Sequence, residues 1–335
     1  MIVISSEAND FSTSLVMDWI NHLGKKVLRL NSKDILRINS FELSNHSQTI
    51  VNFNKDGETY TSTAIDSFWY RRGYFKLAIE LNSLHKLSPL LKEKVDVQLT
   101  EEIDSFHNSI YSLLQTKNSL GKYDIANVDK LTVLFMAKDI GIDIPKTIVT
   151  TNPYQIETLL AKGEKFITKS ICHNLNIHNI FNEKTSETWM TYTESVVPED
   201  IPKESSRIFP SLIQEELDKA FELRIFYLDG DFYSMAIFSQ LDPQTKTDFR
   251  NYNLKNPNRT TPFKLPEAIS TKLNCLMRKL ELNTGSIDMV VTKDNRYVFL
   301  EVNPVGQFGM VSEPCNYNLE QKIATYLSNH GKHKK

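Results

Sequence analysis

The chain has 335 residues, 40% of them hydrophobic and 24% charged, the make-up of a folded protein of two or three domains rather than a disordered one. Its 39 Lys and Arg against 41 Asp and Glu give a net charge of -2, so no long-range field collects nucleic acid or an anionic membrane. The apolar run at the start is too short for a signal segment and no later run has membrane-spanning length, which predicts a cytoplasmic protein. Cys172, Cys275 and Cys315 lack metal or disulfide spacing and read as free thiols.

Taken in chain order, Ile2 to Ser5, an amphipathic stretch from Ser12 to Leu23 ending at Gly24, and Lys26 to Leu30 form a βαβ opening. Strands at Thr49 to Phe53 and Ser67 to Arg71 follow, then a long helix from about Ser88 to Leu114. Residues 1–120 read as one α/β domain. Asn127 is a candidate N-cap for a helix carrying Leu131, Leu134, Phe135 and Ala137 that stops at Gly141. Strand Thr147 to Thr150, helix Pro153 to Ala161, strand Lys165 to Ile171 and a helix or loop at Ser186 to Ser195 complete a central unit, 121–205. The last unit, 206–330, is mostly hairpins. Strands Leu212 to Leu217 and Glu222 to Leu228 lead to an Asp229-Gly230 turn and a return strand, Asp231 to Phe238. A long stretch from Gln240 to Pro266 reads as a functional loop. Helix Glu267 to Leu280, a hairpin from Gly285 to Asn303 and a helix near Leu319 to Leu327 close the chain.

The last hairpin, GSIDMVVTKDNRYVFLEVNP, carries a carboxylate pair. A turn centred on Asp294 and Asn295 pairs Lys293 with Arg296, and counting outward sets Asp288 opposite Glu301, with Asn303 on the same face one step along. Two opposed acids repel, and the flanking Ile287, Val290, Phe299 and Val302 predict a buried sheet, so the pair needs a cation. Two acids and an amide oxygen suit magnesium, which takes one or two carboxylates together with substrate phosphates.

Other residues fit an anionic ligand. Lys169 shares a strand face with Ile167 and Ile171, either snorkelling at an edge or pairing with a phosphate. Lys130 lies in the first turn of its helix, where a cation opposes the helix dipole, and by itself reads as a surface lysine. The crossing IQEELDKAFELRIF, from Gln214 to Leu217 and into Glu222, sets backbone donors and acceptors side by side, as an adenine edge requires. Glu222 and Arg224 form a structural ion pair, or Arg224 steadies phosphoryl oxygens. Arg250, in the segment TDFRNY, belongs to a solvated basic loop or to a clamp for an acidic substrate. In FWYRRGY, Trp69 and Tyr70 pack while Arg71 and Arg72 are expected on the surface.

In order and spacing, Lys130, Lys169, IQEEL, ELRIF, TDFR, GSIDMV and FLEVNP resemble the ATP-grasp superfamily. Within it, the chain is similar to the peptide maturases that make graspetides, relatives of the microviridin macrocyclases, and especially to the grasp-with-spasm group. NDFST, RLNSKD, WYRRG and NPVGQFGMVSEPCNYNLEQKIA carry that closer likeness, which covers nearly the whole chain.

The resemblance implies an α/β (α+β) ATP-grasp fold: an N-terminal pre-ATP-grasp domain, a central domain and a C-terminal ATP-grasp domain, with the nucleotide between the latter two. By matching positions, Lys130 and Lys169 would contact phosphates. Gln214, Glu215, Leu217 and Glu222 would line the nucleotide site, with Glu215 and Leu217 framing adenine. Asp288, Glu301 and Asn303 would bind Mg2+, and Arg224 and Arg250 would stabilise the phosphoryl and acyl phosphate groups. One departure is SICHNLNIHN after Lys169, which lacks the glycines that many ATP-grasp enzymes place over the phosphates. The implied reaction activates Asp or Glu side chains of a precursor peptide, with leader and core segments, for intramolecular ester or amide formation. Relatives imply a homodimer. A ligase adding a free amino acid, or an ATP-binding protein without catalysis, are the competing readings.

Overall fold

The computed structural model describes residues 1–79, 88–172, 176–182, 185–191, 193–202, 206–240, 242, 253 and 255–329. Two compact units emerge: residues 1–127 with 282–284 and 307–335, and residues 128–281 with 285–306.

In the first unit the elements run β1 (Ile2–Ser6), α1 (Phe11–His22), β2 (Val27–Asn31), β3 (Ile35–Glu42), β4 (Ile50–Lys55), β5 (Glu58–Thr61), β6 (Ser67–Tyr70), β7 (Lys76–Leu77), α2 (Pro89–Gln115) and β8 (Asn118–Leu120). A parallel sheet in the order β2-β1-β6-β8 carries the core. Every residue of β1 and β6 is buried, as a parallel sheet covered on both faces demands. A second sheet, β5-β4-β3-β7, is built from strands interleaved with these in sequence.

At the carboxyl ends of β1 and β6 the structure departs from expectation. Arg71 is not a surface residue: it is 3% exposed, its Nε lies 3.2 Å from Asp10 Oδ2, and its guanidinium stands over the Phe308 ring. Arg72 Nε reaches the same oxygen at 3.1 Å. Asp10 also caps α1, accepting the Thr13 N–H and the Ser12 hydroxyl. Burial pushes the Asp10 carboxyl up, but the Ser12 hydroxyl, the two arginines and the Thr13 N–H outweigh it and hold it below the ordinary aspartate value. A carboxylate lowered on folding adds stability above its unfolded value, about 3.9, and loses it as pH falls further. Acid melting should therefore become shallower below about pH 4 in Asp10→Asn than in the unaltered protein. An unchanged acid slope would show that Asp10 is not the group responsible.

The second unit begins with α3 (Lys130–Asp139), β9 (Thr147–Thr150), α4 (Pro153–Ala161) and β10 (Phe166–Lys169). β11 (Asn176–Asn182), β12 (Thr185–Met190), β13 (Glu194–Ser195), β14 (Ser211–Glu215), β15 (Lys219–Leu228) and β16 (Asp231–Phe238) come next. It ends with β17 (Arg259–Phe263), α5 (Glu267–Lys279), β18 (Thr284–Thr292) and β19 (Tyr297–Asn303). Two further helices, α6 (Gly309–Ser312) and α7 (Leu319–Ser328), return to the first unit, where α7 packs on α1.

Two larger sheets and the two-stranded β11-β12 ribbon build the second unit. In the order β13-β10-β14-β9, the first covers α4 through Ile156, Leu159, Phe166, Ile201 and Ile213. The other is antiparallel, β17-β16-β15-β18-β19, with β18 buried along its whole length. The Asp229-Gly230 turn forms as expected, both residues at positive φ (44° and 108°), the geometry that matches strand twist in a two-residue hairpin.

Three expectations need correction. The N-cap of α3 is Asp129, whose side chain accepts the Thr132 N–H, and not Asn127, so Lys130 is the first helical residue. Where a helix or loop was expected at Ser186 to Ser195, two strands form, β12 (Thr185–Met190), which pairs with β11 in a two-stranded ribbon, and β13 (Glu194–Ser195). Part of the expected long loop is strand as well: β17 pairs with β16 at the sheet edge, where Pro262 is tolerated because an edge strand has one side without a ladder. Among the described residues, no helix is long and apolar enough to cross a membrane.

Candidate active site

The crossing from β14 to β15 and the β18–β19 hairpin border one cavity of about 210 Å³. Of the residues singled out from the sequence, Lys169, Gln214, Glu215, Leu217, Glu222, Asp288 and Glu301 line it. Lys130 joins through Glu301 and Arg224 through Asp288. Asn303 is exposed, pairs in register with Ser286 and does not line the cavity. Arg250 lies outside the described residues.

Asp288 stands opposite Glu301 as expected, but by a different route. The turn does not pair Lys293 with Arg296. It closes between Thr292 and Arg296, with Asn295 in the left-handed region (φ 63°), a three-residue turn that would set Asp288 opposite Leu300. A bulge between Phe299 and Glu301 then adds one residue to β19 and restores the carboxylate pairing. Leu300 and Glu301 both border the cavity. Ile287, Val290, Phe299 and Val302 are buried, as expected.

The protein itself supplies cations to the acids. Arg224 Nη1 donates to Asp288 Oδ1 at 2.8 Å and Oδ2 at 2.7 Å, both side chains only 9% exposed. Glu301 lies 3.5 Å from the Lys130 Nζ, which also reaches the Ser170 carbonyl just beyond β10. So the opposed pair is balanced by one cation on each side, and its repulsion alone does not demand a metal. The Arg224 Nε is buried without a hydrogen-bond partner among the described residues. An orphan donor on a guanidinium otherwise spent on Asp288 suits the oxygen of an anionic ligand.

Glu222 is not paired with Arg224 in the arrangement that forms. Its Oε1 takes Lys219 Nζ at 2.6 Å and its Oε2 the Ser239 hydroxyl. Lys219, Ser239 and Thr147 are contributors that sequence reasoning missed; an i,i+3 pair such as Lys219 and Glu222 falls on opposite faces of a regular strand, so spacing argued against it. In the crossing, the Glu215 N–H goes to the Lys146 carbonyl and the Glu216 N–H to the Lys165 carbonyl, so both donors are taken.

Backbone packing fixes the end of β19. The Gly306 N–H donates to the Asn303 carbonyl at 3.0 Å, and a Cβ on Gly306 would come within 2.4 Å of the Ser286 side chain. Only glycine lets the chain turn so closely after Asn303. Among the described residues no group of three His, Cys, Asp or Glu could hold a metal ion, so any metal here relies on two acids, an amide and a ligand's own oxygens.

No protein-family model matches the chain and no curated protein matches it. Solved structures do. The fold is that of the ATP-grasp ligases, as the sequence resemblance implied. In particular the chain is similar to the macrocyclase MdnC of Microcystis aeruginosa MRC, solved bound with the precursor peptide MdnA: 26% identity, 99% of this chain and 100% of that one covered, TM-score 0.75. A RiPP-associated ATP-grasp ligase of Chryseobacterium gregarium, in complex with ADP and a leader and core peptide, shares the fold at 24% identity, 98% and 95% coverage and TM-score 0.74. The ATP-grasp ligase PsnB, complexed with minimal precursor, Mg and ADP, shares it at 14% identity, 98% and 96% coverage and TM-score 0.69.

Proposed function

We propose that the protein is an ATP-dependent ligase that activates Asp or Glu side chains of a ribosomally made precursor peptide as acyl phosphates. It then closes them onto Thr, Ser or Lys side chains of the same peptide as ester or amide rings. One observation supports this most: Asp288 and Glu301 oppose each other on the cavity wall, each beside its own cation, and the Gln214 to Leu217 crossing lines the same cavity.

In this reading Asp288, Glu301 and Asn303 hold Mg2+, with ATP phosphates completing its shell. Bound magnesium screens the phosphate charge that a peptide carboxylate must approach. Lys130 and Lys169 contact phosphates, and Gln214, Glu215, Leu217 and Glu222 form the nucleotide wall. Arg224, through its unmet Nε, and Arg250 steady the phosphoryl group and then the acyl phosphate. Keeping the activated carboxyl and the nucleophile on one bound peptide makes ring closure effectively unimolecular. The three-part division at residues 120 and 205, a homodimer and a cytoplasmic location belong to the same reading.

Incubation with ATP, magnesium and the precursor peptide encoded beside its gene should lower the peptide mass by one water per link. Gain of an amino-acid mass would favour the free-amino-acid ligase, and ATP binding without ADP release would overturn both catalytic readings. Light scattering after size exclusion tests the homodimer.

A further inference from the structure

In the first unit, topology marks a place for a ligand. Within the sheet β2-β1-β6-β8 the chain leaves β1 for the neighbour on one side and β6 for the neighbour on the other, so the strand order reverses between these two. Open parallel sheets bind ligands at such a reversal, beyond the carboxyl ends of the strands. Those ends carry Glu7 and Asp10 after β1 and Arg71, Arg72 and Gly73 after β6. They are held firmly. Arg29 of β2 donates to the Ser14 hydroxyl at 3.1 Å and to the carbonyls of Glu7 and, at 3.3 Å, Asp10, which pins the loop between β1 and α1. Gly73, at φ 87°, lies so close that a Cβ would come within 2.8 Å of the Ser6 carbonyl oxygen and the Ser32 Oγ. Both oxygens of Asp10 are committed, Oδ1 to Ser12 and Thr13 and Oδ2 to the Nε atoms of Arg71 and Arg72. One carboxylate thus serves two guanidinium groups. Arg29 and Glu7 bring the local count to three positive charges against two, since the nearby Asp34 is matched by Lys55. Burial and the adjacent Arg72 charge bring the Arg71 guanidinium down to about 10, so the excess is felt. Arg72 is where this cluster opens outward: its side chain is 33% exposed, Nε alone of its nitrogens is buried without a hydrogen bond, and the terminal pair has no partner among the described residues. An arginine fixed at Nε and open at its end presents a ready fork to an oxyanion.

We propose that Arg72, backed by Asp10 and Arg71, binds a side-chain carboxylate of an acidic peptide segment. The peptide as occupant rests on the reading of the protein as a peptide ligase. A carboxylate matches the planar edge of a guanidinium and adds the one negative charge that restores the local balance, which a phosphate dianion would overshoot. The carboxylate is held here as an anchor and not as a reactant. Asp10 is the positioning residue, since it fixes the arginine at the end that the ligand does not use.

Fluorescence anisotropy of the full chain, without ATP, reads the site with labelled peptides that alternate Glu with Ala or Gln with Ala. The Glu peptide should bind at least about tenfold more tightly than the Gln peptide. Arg72→Gln should bring that ratio towards one, and Arg72→Lys, which keeps the charge and loses the fork, should fall between. Equal binding of the two peptides to the unaltered protein, or a full ratio in Arg72→Gln, would overturn the proposal. Glutarate should displace the Glu peptide at lower concentration than inorganic phosphate does, and the reverse order would overturn the choice of a carboxylate. The ligase reading fails separately: a chain that binds the Glu peptide through Arg72 yet removes no water from its precursor peptide would keep this site and lose that reading, whereas ring closure together with a full ratio in Arg72→Gln would lose the site alone.

Discussion

Replacing Arg224 by Gln should lower the unfolding stability by about 3–5 kcal/mol, because it leaves Asp288 as a buried charge without its partner. The two side chains are each 9% exposed and the ion pair joins neighbouring strands β15 and β18, the latter with no exposed residue, so water cannot replace the guanidinium. Turnover of ATP should vanish in the same variant. Stability and chemistry separate in the double variant Arg224→Met with Asp288→Leu: removing both charges and filling the space should recover most of the lost stability, since an apolar pair of similar volume often equals a buried ion pair. Activity should stay absent. A single Arg224→Gln variant that melts like the unaltered protein would mean that Asp288 finds another partner, and the pairing would lose its assigned weight.

Glu301→Gln should have the opposite profile. Glu301 and Lys130 are 17% and 19% exposed at their side chains and 3.5 Å apart, so the pair contributes little to folding and the melting midpoint should hardly move. The magnesium-dependent rate of ATP turnover should fall by about 10²-fold or more, because a lost metal ligand removes several kcal/mol of charge stabilisation and each 1.36 kcal/mol is tenfold. Titration with magnesium should show a weakened half-saturation in the same variant. An unchanged magnesium response would move the metal away from this hairpin. Asp288→Asn is the less suitable companion, since it leaves the buried Arg224 uncompensated.

Both outcomes depend on contacts that no sequence window contains. The β15–β16 hairpin was legible because its signal is local, an Asp-Gly pair whose backbone geometry few other residues adopt. The carboxylates were legible too, although the count reached them through two offsets that cancel: a three-residue turn in place of the expected two-residue one moves the register by one position on β19, and the bulge moves it back. The cations were not. Arg224 and Lys130 reach their acids across long stretches of chain, and spacing within a strand says nothing about what another strand delivers. β17 escaped for a local reason, since Pro262 and the polar residues around it read as loop, and only pairing with β16 makes them strand. Arg71 was misjudged in the same manner: an arginine after a strand is usually solvated, and the buried Asp10 that holds it comes from the far end of a different loop.

The bulge beside Leu300 separates two tasks that a plain hairpin would tie together. In a regular ladder every residue gained or lost at the tip turns the whole arm over, and Glu301 would then face away from Asp288. Here a slip of one position at the tip is taken up before the acids are reached. Turn and bulge are therefore matched parts: removing one residue from either alone should part Asp288 from Glu301, and removing one from each should bring them back into register.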